Sequence, residues 1–165
     1  MGLLIRRVKQ GDEKTLAYIQ TKSWKAAFEG IVPADLLEKC TEISRAESMY
    51  SRLLSEEKGN GYILEINDQA HCIAYWDASR EKDMFGYAEI ICIHSLQDKW
   101  HHGYGSQMMK QILNDIKDAG FNKVMLWVFE ENIRAINFYK KHGFSANGRS
   151  QEALGAIEVM YERNL

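Results

Sequence analysis

The sequence predicts an α/β fold in which helices pack against a mixed β-sheet. Residues 90–93 (IICI) and 123–128 (KVMLWV) are apolar runs that are too short for helices and are typical of buried strands. Residues 106–116 instead repeat their apolar side chains every three or four positions, as one face of a helix requires. Because these two kinds of segment alternate along the chain, a sheet covered by helices is the expected architecture.

The remaining segments follow the same two periodicities. The predicted strands comprise residues 4–8, 62–66, 71–76, 90–93, 123–128 and 157–161. The predicted helices comprise residues 12–30, 43–54, 106–119 and 132–142, with Gly143 after the last of them, and residues 33–37 are expected to form a helical turn between the first two. The resulting order, β-α-α-β-β-β-α-β-α-β, is that of an α+β or α/β domain with a mixed sheet.

The composition is that of an ordinary globular protein. The chain has 165 residues, of which 45% are hydrophobic and 27% are charged, so residues 1–165 are expected to form a single domain. The net charge of −2 argues against a general nucleic-acid-binding protein and against electrostatic attachment to membranes. No apolar run reaches the roughly 18 residues that a membrane-spanning helix needs. No signal peptide is recognised either, so a cytoplasmic location is expected.

The cysteines and histidines do not predict a metal site. Cys40, Cys72 and Cys92 are widely separated, and the chain has no CxxC pair. His101 and His102 are adjacent on a turn, whereas two ligands on a helix need a spacing of three or four. We therefore expect a protein without a bound metal.

The strand at residues 90–93 leads into a glycine turn and then into a helix. Gly103 and Gly105 carry no Cβ, which lets the backbone approach a bound group. The helix start behind them offers unpaired N–H donors and the positive end of the helix dipole. This junction predicts an anion site, most naturally for phosphate or diphosphate, with a tight helix–strand packing turn as the alternative. Met108 excludes the dinucleotide pattern GxGxxG, and no GxxxxGK[ST] string occurs.

Three stretches resemble the GNAT superfamily of acetyl-CoA-dependent N-acetyltransferases, over nearly the full chain. Residues 100–105 (WHHGYG) resemble the family's diphosphate signature, [Q/R]xxGx[G/A], at a strand-to-helix turn. Residues 126–144 (LWVFEENIRAINFYKKHGF) resemble its second motif, and residues 23–37 (SWKAAFEGIVPADLL) resemble the start of many bacterial members. Trp100 departs from the signature, because Gln or Arg is usual at that position.

The resemblance implies a fold and a reaction. The expected fold is a central, mixed, mostly antiparallel sheet of six to seven strands, splayed between two parallel central strands and flanked by helices on both faces. The expected reaction moves the acetyl group of acetyl-CoA directly to a primary amine within a ternary complex, without a metal. The expected partners are a small-molecule or peptide amine and, through free edge strands, a second copy in a homodimer. An acetyl-CoA-binding sensor without catalysis and a phosphate-binding module that does not bind coenzyme A are the alternatives.

Site residues follow from the same resemblance. The residues expected to bind acetyl-CoA are Ile93, His94, Ser95, His101, His102, Gly103, Tyr104, Gly105, Ser106, Asn132 and Tyr139. Tyr139 is the candidate general acid, because a phenol stays protonated at neutral pH and can donate to a thiolate. Glu89 is the candidate base, with His94 and water as alternatives. Each of these residues also has a structural interpretation: Asn132 as a helix N-cap, Tyr139 as packing and Glu89 as a solvent-facing strand residue.

The amine acceptor is expected between the first helices, residues 77–85 and residues 145–157. These segments offer aromatic and acidic side chains that suit a cationic amine, namely Trp24, Phe28, Glu29, Trp76, Phe85 and Glu152. Ordinary core packing is the alternative for the aromatic ones. The sequence does not separate a polyamine from an aminoglycoside, an amino acid or a protein N-terminus.

Overall fold

A seven-stranded sheet forms the centre of the molecule, in a computed structural model that describes residues 2–165. Its strands are β1 (Leu3–Arg7), β2 (Asn60–Ile66), β3 (Gln69–Ala78), β4 (Tyr87–Ser95), β5 (Lys123–Phe129), β6 (Ser145–Ala153) and β7 (Ala156–Asn164). The helices are α1 (Glu13–Ala27), α2 (Ala34–Cys40), α3 (Ile43–Ser55), α4 (Tyr104–Asp118) and α5 (Ile133–Lys141), with a 3₁₀ turn at Gln97–Lys99. Within this described part of the chain, no helix is long and apolar enough to cross a membrane.

The sheet is mixed and mostly antiparallel, as predicted. Its spatial order is β1-β2-β3-β4-β5-β7-β6, and only β4 and β5 run parallel. The strand β6 was not predicted. Its sequence, SANGRSQEA, has no apolar alternation, because the strand is largely exposed at the edge of the sheet and pairs only with β7.

Two apolar layers cover the two faces of the sheet. Alternation along β3 separates them, since Cys72 and Ala74 point to one face and Ile73 and Tyr75 to the other. The face that carries α1 and α3 buries Leu16, Ala17, Ile19, Ala46, Tyr50, Leu54, Ile63, Ile73 and Tyr75. The face that carries α4 and α5 buries a larger set that includes Met108, Met109, Ile112, Ile116, Leu126, Ile136 and Tyr139. Helices on both faces were also predicted.

The two parallel strands separate along their length. Residues Tyr87–Glu89 of β4 pair with Lys123–Met125 of β5, and no pair joins the two strands beyond that point. A bulge on β4 marks the place, because Ile90 pairs with Trp76 and Cys92 with Tyr75, which leaves Ile91 without a partner residue on β3. The strands thus diverge into a gap, which is the splayed arrangement that the sequence resemblance implied.

Candidate active site

A cavity of about 780 Å³ occupies the gap between β4 and β5. One wall is formed by β4, from Ile91 to Ser95, and the opposite wall by Trp127, Val128 and Phe129 of β5. The remaining lining comes from α1, from the turn after β4 and from α5.

The backbone in this gap suits an extended ligand. The outer edges of the two strands are occupied, since β4 pairs with β3 and β5 pairs with β7. Their inner edges face each other without pairing between residues 90–95 and 126–129. An extended chain that carries amide groups can bind such an edge as an additional strand would. Ile93, His94 and Ser95, which the sequence resemblance singled out, lie in this wall.

The glycine turn lies at one end of the cavity. Gly103 adopts a left-handed conformation (φ 79°) and caps α4, which begins at Tyr104, two residues earlier than predicted. The first main-chain bond of the helix runs from the N–H of Gln107 to the C=O of Gly103, so the preceding N–H groups of α4 have no partner within the helix. These donors and the helix dipole make the turn suitable for an anion.

Most of the residues predicted at this turn line the cavity. They are His101, Gly103, Tyr104, Gly105 and Ser106. His102 does not line it and stacks on the ring of Tyr104 instead, with 5.6 Å between the centroids. Gly105 also has a packing role, because a Cβ there would lie 3.2 Å from the ring of Phe138 on α5. Gly105 thus lines the cavity and also allows close packing against α5, so the two interpretations of the glycine turn are compatible.

Tyr139 reaches the cavity from α5 and is 9% exposed. Its hydroxyl has no hydrogen-bond partner among residues 2–165. Burial raises the pKa of Tyr139, so the phenol keeps its proton at neutral pH. A protonated donor without a protein partner is what a general acid requires.

Asn132 both caps a helix and lines the cavity. It is the N-cap of α5, where its side-chain oxygen accepts a hydrogen bond from the N–H of Ala135 at 3.3 Å. It also lines the cavity and is 9% exposed. Its amide NH₂ group has no bond to another of the described residues, which leaves a donor available to a ligand.

Glu89, the predicted base, does not line the cavity. It lies on β4 where the parallel pairing still holds, and it is 1% exposed, so it does not face solvent. Its two oxygens accept hydrogen bonds from Arg80, at 3.1 Å from Nε and 2.7 Å from Nη2, and Oε1 also accepts one from the backbone N–H of Arg80 at 3.0 Å. This bidentate pair fixes the carboxylate in place.

His94 lies in the β4 wall and is neutral at physiological pH. Burial, reinforced by the charge of Arg134, lowers the pKa of His94 to about 4. The indole N–H of Trp24 donates to its Nε2 at 2.9 Å, so the proton of the neutral ring lies on Nδ1. The nitrogen that would take a proton from an amine is therefore already engaged.

The structure places only some of the predicted acceptor residues in the cavity lining. Trp24 and Phe28 line the cavity, and Phe28 contacts Phe129 edge-on with 4.9 Å between centroids. Trp76 is instead a core residue whose indole donates to Tyr62 at 3.0 Å, and Phe85 is fully exposed. Glu158 is the only acidic residue in the range 2–165 that lines the cavity, and it was not predicted.

Residues 31–144 match the model of the acetyltransferase (GNAT) family, which is more than half of the chain. The chain belongs to the GNAT acetyltransferase family. By that membership it is an acyltransferase. Two curated relatives are named N-acetyltransferases. The uncharacterised N-acetyltransferase YuaI of Bacillus subtilis is 23% identical over 138 residues, which cover 84% of this chain and 78% of that protein. The spermidine N(1)-acetyltransferase of Thermoplasma acidophilum is 22% identical over 153 residues, which cover 87% of this chain and 89% of the relative.

Solved structures of other GNAT acetyltransferases share the fold. The crystal structure of PaiA N-acetyltransferase from Thermoplasma acidophilum, in complex with coenzyme A, aligns over 100% of both chains with a TM-score of 0.80 and 17% identity. An N-acetyltransferase from Staphylococcus aureus Mu50 aligns over 99% of both chains with a TM-score of 0.77 and 15% identity. At these identities the likeness establishes the fold of this acetyltransferase.

One contact in the cavity of this GNAT protein was not predicted. The indole N–H of Trp100 donates to the C=O of Ser95 at 3.0 Å, and the guanidinium carbon of Arg134 lies 3.6 Å from the centroid of the Trp100 ring. Both residues line the cavity. The unusual residue at position 100 was one signal in the sequence, but nothing linked that position to Arg134 on α5.

Proposed function

We propose that this GNAT protein transfers the acetyl group of acetyl-CoA directly to a primary amine while both substrates are bound. The observation that carries the proposal is the pair of facing, unpaired strand edges, with a glycine turn at one end and the Tyr139 hydroxyl in the wall. This arrangement suits a long molecule that has a diphosphate at one end, amides in the middle and a reactive sulfur. The crystal structure of the PaiA relative contains coenzyme A, which is consistent with this ligand.

Acetyl-CoA is proposed to bind along β4. Its diphosphate would contact the N–H groups of the turn from His101 to Ser106, and its pantetheine amides would pair with the backbone of Ile93, His94 and Ser95. Asn132 would add a side-chain donor. An N–H group of β4 that points at the acetyl oxygen would stabilise the developing oxyanion, a contribution on the order of 3 kcal/mol for each donor.

In the proposed reaction, one bond forms and one bond breaks at the carbonyl carbon of the thioester. The neutral amine attacks the thioester carbonyl, a C–N bond forms and the C–S bond breaks. The departing thiolate takes the proton of the Tyr139 hydroxyl, and the proton lost by the nitrogen leaves through a base and restores the phenol. The proposed reaction uses no metal.

The base that accepts the amine proton has three candidates. Glu89 is held by Arg80 outside the cavity lining, so it can act only through intervening water. The unprotonated nitrogen of His94, Nε2, already accepts a hydrogen bond from the Trp24 indole. Bound water in the gap is therefore the base that the geometry favours, and a catalytic role of Glu89 stays a prediction.

The acceptor is proposed to be a cationic amine before it loses its proton. Aromatic rings of Trp24, Phe28 and Phe129 line the cavity in contact with one another, and Glu158 supplies a carboxylate. Rings and a carboxylate attract an ammonium group. One curated relative is named a spermidine N(1)-acetyltransferase, so spermidine is the first amine to test.

The experiment is a thiol-release assay with acetyl-CoA and a panel of amines: spermidine, an aminoglycoside, free amino acids and a peptide with a free N-terminus. We expect release with at least one amine, together with the acetylated amine in the mass spectrum. Glu89→Gln is tested in parallel, and it lowers kcat/KM most at low pH if Glu89 serves as the base. Acetyl-CoA binding by calorimetry without release for any amine would instead indicate a sensor. No binding at all would indicate a module that does not use coenzyme A.

A further inference from the structure

Trp100 and Arg134 connect the turn after β4 to α5 in the lining of the cavity. Trp100 follows β4 and is fixed to that strand by its hydrogen bond to the C=O of Ser95 at 3.0 Å. Arg134 follows β5, in the first turn of α5, and places its guanidinium carbon 3.6 Å from the centroid of the Trp100 ring. A cation over an aromatic face at this distance is held by electrostatic attraction.

Apart from the Trp100 ring, the charge of Arg134 has no partner among the described residues. Its guanidinium forms neither an ion pair nor a hydrogen bond with any residue in the range 2–165. Stacking uses the flat face of the group, so the N–H donors at its edge stay free. A planar fork of donors matches the oxygens of a phosphate better than a single ammonium does.

The surroundings of Arg134 favour an anion. Arg134 lines the same cavity as Gly103, Gly105 and Ser106, where α4 presents its N-terminal N–H groups. Among the described lining residues with full charges, Lys99, Arg134 and Lys141 are positive and only Glu158 is negative. The local charge is thus positive, although the whole chain carries a net charge of −2.

We propose that Arg134, positioned by Trp100, binds the diphosphate of acetyl-CoA and provides the charged side-chain contact of this site. The inference rests on the proposed function, and it adds a binding residue on α5 to the main-chain donors of the turn. Trp100 acts through Arg134, because its own indole N–H is already bonded to Ser95. Tryptophan at position 100 thereby replaces a polar side chain at the turn with a platform for an arginine from another element.

The test measures the Kd of acetyl-CoA and of 3′-dephospho-acetyl-CoA by calorimetry. Arg134→Ala is expected to weaken both ligands to a similar extent, by about 10- to 100-fold, because one charge-assisted contact to phosphate is lost. Arg45→Ala is the matched control, since it removes an exposed arginine from the first turn of α3, away from the cavity. It should leave both Kd values unchanged.

Trp100 is tested in a double-mutant cycle. Trp100→Leu is expected to weaken acetyl-CoA binding in the wild-type background and to have little further effect in the Arg134→Ala background, because its role runs through Arg134. Thermal unfolding of each variant checks that the fold is retained. A purely structural role of Trp100 would give the same loss in both backgrounds and would overturn its assignment as a positioning residue.

Two results would overturn the role of Arg134. One is an unchanged Kd for both ligands in Arg134→Ala, and the other is a loss confined to acetyl-CoA, which would place the contact at the 3′-phosphate. Both differ from a failure of the proposed function, in which the wild-type protein itself would not bind acetyl-CoA.

Discussion

Tyr139 is a mostly buried residue whose phenol faces the cavity. The side chain is 9% exposed, and its hydroxyl has no hydrogen-bond partner among the residues that the structure describes. Because the residue lines the cavity, this hydroxyl is available to a ligand there. The proposed partner is the sulfur of the bound co-substrate.

Replacing Tyr139 by Phe tests this role. We expect kcat to fall on the order of 100-fold, because the thiolate loses its proton donor, while the Kd of acetyl-CoA is unchanged. Rates at saturating substrates, with Kd measured separately, provide the measurement. Tyr161→Phe is the matched control, since it removes a buried phenol from the same core without touching the cavity. An unchanged kcat in Tyr139→Phe would remove the residue from the acid role.

Single residues were only partly predictable from the sequence. Tyr139 was singled out through the resemblance of residues 126–144 to the family's second motif, whereas the cap of Asn132 followed from the local helical pattern, because it depends on the residues of one helix. The stack of Arg134 on Trp100 depends on how α5 is rotated against the turn, across 34 positions of the chain, and no local pattern records that angle. The partner of Glu89 was missed for the same reason, since Arg80 reaches it from the loop after β3.

At the level of elements, the start of α5 carries both stability and ligand contacts. Asn132 caps the helix with its oxygen and keeps its NH₂ group free. The first turn of α5 supplies Arg134 to the cavity, and Tyr139 follows further along the helix. One side chain thus fixes the helix whose residues line the cavity. A change at position 132 affects folding and binding together unless the two roles are separated by the choice of substitution.

Asn132→Ala and Asn132→Ser separate the two roles. Alanine removes the cap, so the free energy of unfolding should fall by about 1 kcal/mol in chemical denaturation. Serine keeps a capping oxygen and should retain most of that stability. Both variants lose the amide donor, so both should raise the KM for acetyl-CoA. Wild-type KM in Asn132→Ser would show that Asn132 is a cap alone.

Elements with strong patterns were predicted, and those without them were not. The strand-to-helix turn after β4 was predicted because its glycines interrupt an apolar run and a helical period follows. β6 was missed because a largely exposed edge strand needs no apolar alternation. The start of α4 differed by two residues, since Gly103 in the left-handed conformation allows the helix to begin at Tyr104.

For the whole molecule, a neutral histidine in the β4 wall makes the stability depend on pH. The pKa of His94 is lowered by burial to about 4, against an ordinary value near 6.5 in the unfolded chain. As the pH falls from about 6.5 towards 4, the unfolded chain takes up a proton that the folded protein excludes, so the folded state loses stability. Above pH 6.5 both states carry a neutral ring, and the contribution is constant.

The contribution of His94 to the free energy of unfolding is expected to fall by about 2 kcal/mol between pH 7 and pH 5. Denaturant unfolding of the wild type and of His94→Gln at these two values measures it. Glutamine keeps an acceptor for the Trp24 indole but does not titrate, so the variant should show a smaller loss on acidification. An equal pH dependence in both proteins would show that other groups cause the acid sensitivity.

The divergence of β4 and β5 has a consequence for inhibition. Only three residue pairs join the part of the sheet formed by β1 to β4 to the part formed by β5 to β7, and both inner edges are otherwise open. A short peptidomimetic with an extended backbone could therefore compete for this gap without carrying a nucleotide. Its selectivity among related enzymes would come from side groups directed at Trp24, Phe28 and Phe129, rather than from the main chain that it covers.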